Sequence, residues 1–415
     1  MEIFLWAWLA FTTFLILVFF YQIAVSLAGF RDFKAAPVRG PKTRFAVIVP
    51  AHNEGRVIGK TLDSIFASRY PKELFKVIVI ADNCSDDTTE IAFAKGAVVL
   101  ERFDSFKRGK GQALKWAIAR IREKERYDAY VVIDSDNILS RNYLNRMNNE
   151  ILSGQSVMQG YLATKNPNDN YVTRTIFTTY AYINRFFELS RENLGLCCPL
   201  GGTGICLTED IIDRYGWDYT TLTEDLELTA RLALDGIKVR FVYDAKVFDE
   251  KPRTLYTALK QRQRWMAGHA AVLRKFQPRL IAKGIAKGEL LALDAAFYLG
   301  IPLLMMLWAA MDAWRMIFHF NDRVWPGGGP VGEWLAYLNI FVFVGFAIWW
   351  IAIPLIALKI EGFRIRKYWY TSFLMMIMAW IMLALFVAGL FRWDQNRWWH
   401  TKHEASLDKG ISLDD

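Results

Sequence analysis

Residues 129–137 read AYVVIDSDN, an apolar run rich in β-branched residues that ends abruptly in acids. A short apolar run of this kind is typical of a strand buried on both faces of a sheet. Three further runs share this character: RFAVIVPAHNE from residue 44, FKVIVIADN from residue 75 and AVVLERF from residue 97. Segments with helical spacing separate them. The alternation predicts an α/β domain with a mainly parallel sheet and helices on both faces.

Polar side chains follow three of these strands. His52, Asn53 and Glu54 come after the first, Asp82 ends the second, and Asp134-Ser135-Asp136 follows the fourth. Ligand sites in such sheets lie beyond the carboxyl ends of the strands. We therefore expect these groups to converge at one edge.

The apolar residues of the chain are unevenly distributed. The sequence is 53% hydrophobic with 16 Trp and 29 Phe, yet residues 42–285 have the composition of an ordinary soluble domain. Residues 3–28 and 288–391 are almost continuously apolar. The first run is too long for a signal peptide and long enough to span a bilayer. The pattern predicts a soluble domain inserted between α-helical transmembrane segments.

Charge and cysteine usage indicate the compartment. The net charge is +9, and Arg31, Lys34 and 359–367 place cations beside the apolar runs, which is the positive-inside pattern of a cytosolic face. Membrane lipids and a polyanionic substrate are therefore expected as partners, rather than nucleic acid. The four cysteines form no C-x-x-C pair, which favours reduced thiols in the cytosol. We expect a multi-pass protein of the cell (inner or plasma) membrane with its soluble domain in the cytosol.

The D-x-D sequence formed by Asp134 and Asp136 is the first candidate site. Two carboxylates that flank one residue at a strand end suit Mg²⁺ or Mn²⁺, which take oxygen ligands and retain water and substrate phosphate. A solvated acidic turn is the alternative for so short a motif.

A basic, glycine-containing turn reads KRGKGQAL at residues 107–114. It precedes a predicted helix, where backbone N–H groups and Lys110 favour an anion. The glycine spacing is not that of a P-loop. A basic surface turn is the alternative.

Thr223-Glu224-Asp225 is the third candidate. Thr221 and Glu224 have the spacing of a capping box, so one acid would serve the helix start. The second carboxylate is then free to act as a general base. Taken together, the three motifs describe a nucleotide-diphosphate site with a metal, cations and a base.

In this context the chain resembles the processive, membrane-embedded family-2 glycosyltransferases, which include the cellulose, chitin, hyaluronan and poly-N-acetylglucosamine synthases. The shared signature is an Asp after the second strand, D-x-D, T-E-D and Q-x-x-R-W. Here these are Asp82, Asp134–Asp136, Thr223–Asp225 and Gln261–Trp265, in that order. The resemblance covers roughly residues 40–410 and implies a GT-A-like cytosolic domain.

The resemblance also implies a role for each matched residue. Catalysis falls to Asp225, with Glu224 beside it. The nucleotide would be bound by Ala51, Asn53, Glu54, Asp82, Lys110 and Asp134. The metal would be held by Asp134 and Asp136. The acceptor would be bound by Gly202, Thr203, Gly204, Gln261, Arg264 and Trp265. A partial match to W-G-T-R at the tail adds Trp399, Thr401 and Lys402 to the nucleotide site.

The expected organisation has five parts: a transmembrane helix at 1–30, the GT-A-like domain at 40–252, an interfacial helix with Q-x-x-R-W at 253–285, transmembrane or interfacial helices at 286–391 and a cytosolic tail at 392–415. Three crossings after the domain would put the tail outside. We therefore expect 368–391 not to cross, as in the cellulose synthase pattern. No appended cyclic-dinucleotide sensor is expected.

The resemblance predicts a processive inverting transferase that builds a β-linked polysaccharide from UDP-N-acetylglucosamine or UDP-glucose. It would pass the glycan through its membrane segment, with export or accessory subunits as further candidate partners. A single-transfer enzyme with a lipid acceptor is the first alternative, and a non-catalytic transporter or scaffold is the second.

Two details remain open at the level of sequence. Gln261, Arg264 and Trp265 share a helical face that suits a sugar, whereas Arg262 and Gln263 would meet headgroups or solvent. An interfacial anchor is the alternative for this cluster. Asp294 and Asp312 lie within or near the apolar helices, either as functional intramembrane acids or at the interface.

Overall fold

The computed structural model describes residues 2–319, 330–391 and 413–414. The strands of the described part are β1 Phe45–Ala51, β2 Phe75–Asp82, β3 Val98–Arg102, β4 Ala129–Val132, β5 Ile138–Leu139, β6 Val157–Thr164, β7 Ile205–Thr208 and β8 Arg240–Asp249. They form one eight-stranded sheet in the order β3-β2-β1-β4-β7-β6-β8-β5.

The helices of the described part are α1 Glu2–Leu27, α2 Gly55–Phe66, α3 Thr88–Ala94, α4 Lys110–Lys124, α5 Tyr143–Leu152, α6 Tyr171–Tyr182, α7 Leu189–Leu194, α8 Glu209–Tyr215, α9 Glu224–Leu234, α10 Leu255–Lys287, α11 Leu290–His319, α12 Pro330–Ile360 and α13 Thr371–Phe391. A π-helical turn, Ile183–Glu188, joins α6 to α7.

The first half of the sheet is parallel, as the alternation of strands and helices predicts. β3, β2, β1 and β4 pair in parallel, and β7 then pairs antiparallel with β4. β6 is antiparallel to β7 but parallel to β8, so the second half is mixed. The predicted GT-A-like α/β fold is confirmed, with a mixed half that the sequence pattern did not reveal.

Both faces of the sheet are covered, which explains the continuous apolar strands. Phe45, Val47 and Val49 of β1 pack on the face covered by α2 and α5, while Ala46 and Ile48 pack on the face covered by α4 and α9. All five side chains are fully buried. Burying a large aliphatic or aromatic side chain stabilises the fold by about 1.5–3 kcal/mol, so alternation with polar residues would be costly here.

Three helical segments of the described part are long and apolar enough to cross a membrane: Thr13–Phe30, Leu290–Leu307 and Thr371–Phe391. A buried acid, Asp294, connects the first two segments through hydrogen bonds. Asp294 accepts hydrogen bonds from Arg191 of α7 at 2.9 and 3.1 Å and from the Tyr21 hydroxyl of α1 at 2.8 Å. Asp294 is therefore a structural ion-pair partner at the base of the helices. The side chain of Asp312 lies outside the described part.

Both ends of α13 contact elements attached to the sheet domain. Near its start, Thr371 hydrogen-bonds Thr178 of α6 at 2.8 Å. Near its end, the Leu390 carbonyl accepts a bond from Arg274 of α10 at 2.9 Å. The helix thus lies along α10 and α6 rather than pointing away from them.

The described end of the chain also lies on the sheet domain. The Leu413 carbonyl accepts the Arg141 N–H at 3.0 Å, and the Asp414 carboxylate pairs with Arg69 at 2.8 Å. These contacts place residues 413–414 beside the start of α5.

Candidate active site

The D-x-D turn follows β4 at the carboxyl edge of the sheet. Asp134 pairs with the Lys110 ammonium, and its backbone N–H donates to the Thr203 hydroxyl at 3.0 Å. The Asn137 amide donates to the same hydroxyl at 2.8 Å. Thr203, which is buried, therefore supports the turn from beneath. The role of Thr203 in binding an acceptor, which the resemblance implied, stays a prediction.

Lys110 is the first residue of α4, after Gly109 at φ 111°. Besides Asp134, its ammonium donates to the Gly202 carbonyl at 2.6 Å. Burial lowers the pKa of this ammonium, but the carboxylates of Asp134, Glu224 and Asp225 outweigh burial and raise it. Lys110 is therefore a permanent cation among three acids.

The turn before β7, residues 201–204, brings Asp225 close to the backbone of Gly202. Gly202 has φ +81°, and a Cβ at this residue would lie 3.2 Å from Asp225 Oδ2. The buried Gln159 amide holds the turn by donating to the Thr203 carbonyl at 3.0 Å and accepting the Gly201 N–H at 2.8 Å. Gly204 is buried against Val247 of β8, and its place at the acceptor surface stays a prediction. Within this turn, Gly202 is the residue that lies next to both Lys110 and Asp225.

The T-E-D sequence begins α9, but the predicted capping box is wrong. Thr223 is the N-cap, without a side-chain capping bond, and the helix starts at Glu224 itself. The loop amides of Thr220 and Thr221 instead donate to the buried carboxylate of Glu227, at 2.9 and 3.0 Å. Because Glu227 accepts the hydrogen bonds of the loop before α9, neither Glu224 nor Asp225 is needed for that purpose. Both are available to a substrate.

Asp225 has the electrostatics of a base. Burial and the neighbouring Glu224 raise the pKa of its carboxyl to about 7, against the opposing influence of Leu226 N–H, Lys110 and Arg264. A carboxylate with a pKa near neutrality accepts a proton far more readily than a solvated aspartate. The pKa of Asp225 is therefore set by the adjacent acid Glu224 and by the cations Lys110 and Arg264.

The helix that carries Q-x-x-R-W crosses directly over the T-E-D sequence. A Cβ on Gly268 of α10 would lie 2.5 Å from the Thr223 side chain, so only glycine permits this approach. The close approach brings Arg264 into the electrostatic field of Asp225. Gln261, Arg264 and Trp265 remain partly exposed. The acceptor residues proposed on α10 therefore stand beside the proposed base.

The expectation for Arg262 is wrong. Rather than meeting solvent, its side chain is buried, with 5% exposure, and donates to the Ala258 carbonyl at 3.2 Å. The cause is the contact between α10 and α6, where Ala258 packs against Val172 and Ile176.

Residues that the resemblance assigns to the nucleotide lie in the loops after β1 and β2. Asn53, at φ 56°, accepts the Ser85 N–H at 2.8 Å and so joins the two loops. Glu54 is the N-cap residue of α2, its backbone N–H donates to the Thr88 hydroxyl at 2.8 Å, and Ala51 ends β1. These residues share the edge that carries the D-x-D turn.

Asp82 is paired with a cation that the sequence did not single out. Arg102, at the end of β3, donates to Asp82 at 2.5 Å, and both are buried. Burial raises the pKa of Asp82, while the Arg102 pair opposes the rise. Arg102 holds this carboxylate in place.

A second set of charges behind the D-x-D turn was also missed. Lys165 donates to the Asp136 carbonyl at 2.9 Å and pairs with Glu250 at 3.4 Å. Asp249, at the end of β8, pairs with Lys251. The sequence signal is FDEK at 248–251, a charged run directly after a buried strand.

The donor set suits a divalent metal held jointly with substrate. Asp134 and Asp136 supply hard oxygen ligands, and burial together with the field of Asp136 and Asp134 raises the pKa of nearby Asp249. That excess of negative charge favours a cation. Within residues 2–319, 330–391 and 413–414, no group of three or more acid, histidine or cysteine side chains could hold a metal. Phosphate and water would have to complete the coordination. Trp399, Thr401 and Lys402 lie outside the described residues.

Comparison with known proteins identifies the class. A family model described as "Glycosyltransferase like family 2" matches residues 41–268. This match covers more than half of the chain. The chain belongs to glycosyltransferase family 2.

Individual relatives are distant. The chain is 28% identical over 278 residues to "Probable glycosyltransferase YdaM" of Bacillus subtilis (62% of this chain, 64% of that protein). It is 28% identical over 263 residues to a beta-monoglucosyldiacylglycerol synthase of Synechocystis (59% and 54%). It is 26% identical over 274 residues to a poly-beta-1,6-N-acetyl-D-glucosamine synthase of Staphylococcus aureus (62% and 62%). The chain thus spans less than two thirds of the length of these relatives.

Among solved structures, a mannosyltransferase from Pyrobaculum calidifontis in complex with GDP-Man and Mn²⁺ is similar over nearly the whole chain. The TM-score is 0.59, with 18% identity, covering 92% of this chain and 97% of that one. This similarity supports the fold, including the helices outside the sheet domain.

Proposed function

We propose that the chain is an inverting glycosyltransferase that transfers a sugar from a UDP-sugar to an acceptor hydroxyl held at the membrane face. One observation carries the proposal. The Lys110 ammonium and the Asp225 carboxyl flank the same glycine, Gly202, at 2.6 Å from its carbonyl and 3.2 Å from its Cβ position. The cation that would stabilise the departing diphosphate and the base that would accept the hydroxyl proton thus lie on either side of one glycine.

The reaction follows from this arrangement. Asp225 accepts the proton of the acceptor hydroxyl as its oxygen bonds to the anomeric carbon. The bond from that carbon to the diphosphate breaks on the opposite face, and UDP leaves with the electron pair. Lys110 stabilises the charge on the leaving group. A Mg²⁺ or Mn²⁺ ion at Asp134 and Asp136 would add charge neutralisation to the same group.

The acceptor side supports a processive reaction. Q-x-x-R-W is intact, and α10 places it against T-E-D through Gly268. Trp265 packs against a cluster with Leu303 of α11 and Met382 of α13, at the junction between the sheet domain and the apolar helices. We infer polymerisation of UDP-N-acetylglucosamine or UDP-glucose into a β-linked glycan that leaves through the membrane helices.

Transfer of a single sugar to a lipid is the second candidate. The same junction would admit the headgroup of a lipid, and the curated relatives carry names of both product classes. Purified protein incubated with UDP-sugars and Mg²⁺ or Mn²⁺ separates the candidates. Long products extended without added lipid support polymerisation, whereas one sugar on an extractable lipid supports the second candidate.

A further inference from the structure

Arg262 is a buried cation that the proposed reaction does not use. Its guanidinium donates to the Ala258 carbonyl at 3.2 Å and lies 5.9 Å from the centre of the Trp265 ring. In the part of the chain that the structure describes, no carboxylate lies within ion-pair distance of it. The guanidinium N–H groups that do not bond Ala258 are therefore available to an anion.

A second buried cation lies near the contact between α6 and α10. Lys251, 3% exposed, stands 3.4 Å from the centre of the Tyr180 ring, and Tyr180 packs against the cluster that contains Ala258 of α10. Asp249 is the carboxylate that pairs with Lys251. Lys251 and Asp249 thus neutralise each other, whereas no carboxylate among the described residues pairs with Arg262.

The position of this charge points to the membrane. α13, a candidate membrane span, packs on α6 through Thr371 and Thr178 and on α10 through Gly389 and Ala267. Trp265, three residues after Arg262, belongs to the contact between α10, α11 and α13. Arg262 therefore lies about 4.5 Å along the helix axis from the residue proposed to contact an acceptor sugar.

We propose that Arg262 binds a phosphate group of a membrane-borne acceptor, with the adjoining sugar at Trp265. The ligand class is a phosphate ester on a lipid. Arginine suits this role because its planar guanidinium pairs with phosphate through two parallel hydrogen bonds. The acceptor assignment rests on the proposed function, whereas phosphate binding at Arg262 does not.

The test is a ligand-dependent thermal shift on the detergent-purified full chain, without donor. The probes are dioctanoyl phosphatidic acid, dioctanoylglycerol, which has the same chains without phosphate, and inorganic phosphate. We expect phosphatidic acid to raise the midpoint with rising concentration and dioctanoylglycerol to leave it unchanged. Arg262→Gln should weaken the apparent affinity about tenfold or more, the loss typical of one charge-assisted pair. Arg262→Lys should retain part of it.

Arg366→Gln is the matched control, because Arg366 is an exposed arginine outside this cluster. It should leave the affinity within about twofold, that is, within about 0.4 kcal/mol. Equal shifts for phosphatidic acid and dioctanoylglycerol, or an unchanged shift in Arg262→Gln, would overturn the proposal. An equal shift with inorganic phosphate would show an anion site and reject the lipid source. UDP release, measured separately, reports on the proposed reaction, so the two can fail independently.

Discussion

At the scale of single residues, the three acids at the start of α9 have different roles. Glu227 is buried and satisfies the loop before α9, whereas Asp225 faces Gly202 and Glu224 raises its pKa. The sequence showed three acids in four residues but not this division. Burial and hydrogen-bond partners decide it, and neither is visible in a linear pattern.

Replacing Glu224 by Gln tests the tuning of the base. Loss of the neighbouring negative charge should lower the pKa of Asp225 from about 7, because like charges disfavour ionisation. The acid limb of the pH–rate profile should then move by about one unit toward lower pH. The measurement is UDP release against pH in both proteins. A profile that keeps its acid limb while the rate falls would contradict this role.

Replacing Asp225 by Asn separates function from stability. In the fold the carboxyl has a pKa of about 7, above the unfolded value, so the folded state binds more protons between about pH 4 and 7. Stability is therefore lost as pH rises through this window. The Asn variant avoids that loss and should be more stable above pH 7, by on the order of 1–3 kcal/mol.

Thermal denaturation at pH 5 and pH 8 provides the check. The variant should be almost inactive, and its advantage in midpoint should be larger at pH 8. An advantage independent of pH would show that the carboxyl is not destabilised by the fold.

At the scale of elements, the position of α10 sets where the Q-x-x-R-W residues, our proposed acceptor site, lie relative to Asp225. Gly268 lets the helix approach Thr223, and this contact fixes the position of the Q-x-x-R-W residues beside α9. The sequence predicted the helix and the shared face of Gln261 and Arg264. It did not predict that Arg262 is buried, because the packing partner, α6, is about 80 residues away in the chain.

Replacing Gly268 by Ala should displace α10 from α9. The added Cβ would lie 2.5 Å from Thr223, which is too close without movement, and a misplaced acceptor group typically costs about 100-fold in rate. We expect a lower kcat with donor affinity retained. Gly345→Ala in α12 is the control, since no atom lies within 4 Å of its added Cβ. Equal activity of the two variants would argue against a precise α9–α10 contact.

At the scale of the whole molecule, the chain divides into a sheet domain and apolar helices much as composition suggests. The parallel half of the sheet could be predicted because its strands are locally continuous apolar runs. The mixed half could not, since pairing of β6, β7 and β8 depends on contacts between distant segments. The D-x-D and T-E-D acids were found by motif, but Arg102, Asp249 and Lys165 carry no motif and emerge only from packing.

The path of the chain through the membrane is our proposal at this scale. Residues 413–414 lie on the sheet domain, which fits an even number of crossings by the helices after that domain. We propose that α11 and α12 cross and that α13, although long and apolar enough to span, lies at the interface, with the tail on the cytosolic side. A C-terminal tag should then be digested together with the sheet domain in inside-out vesicles. A tag that survives while the domain is cleaved would contradict this topology.

The central claim is that one site joins a UDP-sugar to an acceptor with inversion, using Asp225 as the base. The most direct measurement is product formation by the purified chain with a panel of UDP-sugars and Mg²⁺ or Mn²⁺. The account predicts metal-dependent UDP release, a β-linked product and near-complete loss of both in Asp225→Asn. Undiminished turnover in Asp225→Asn, or an α-linked product, would contradict it.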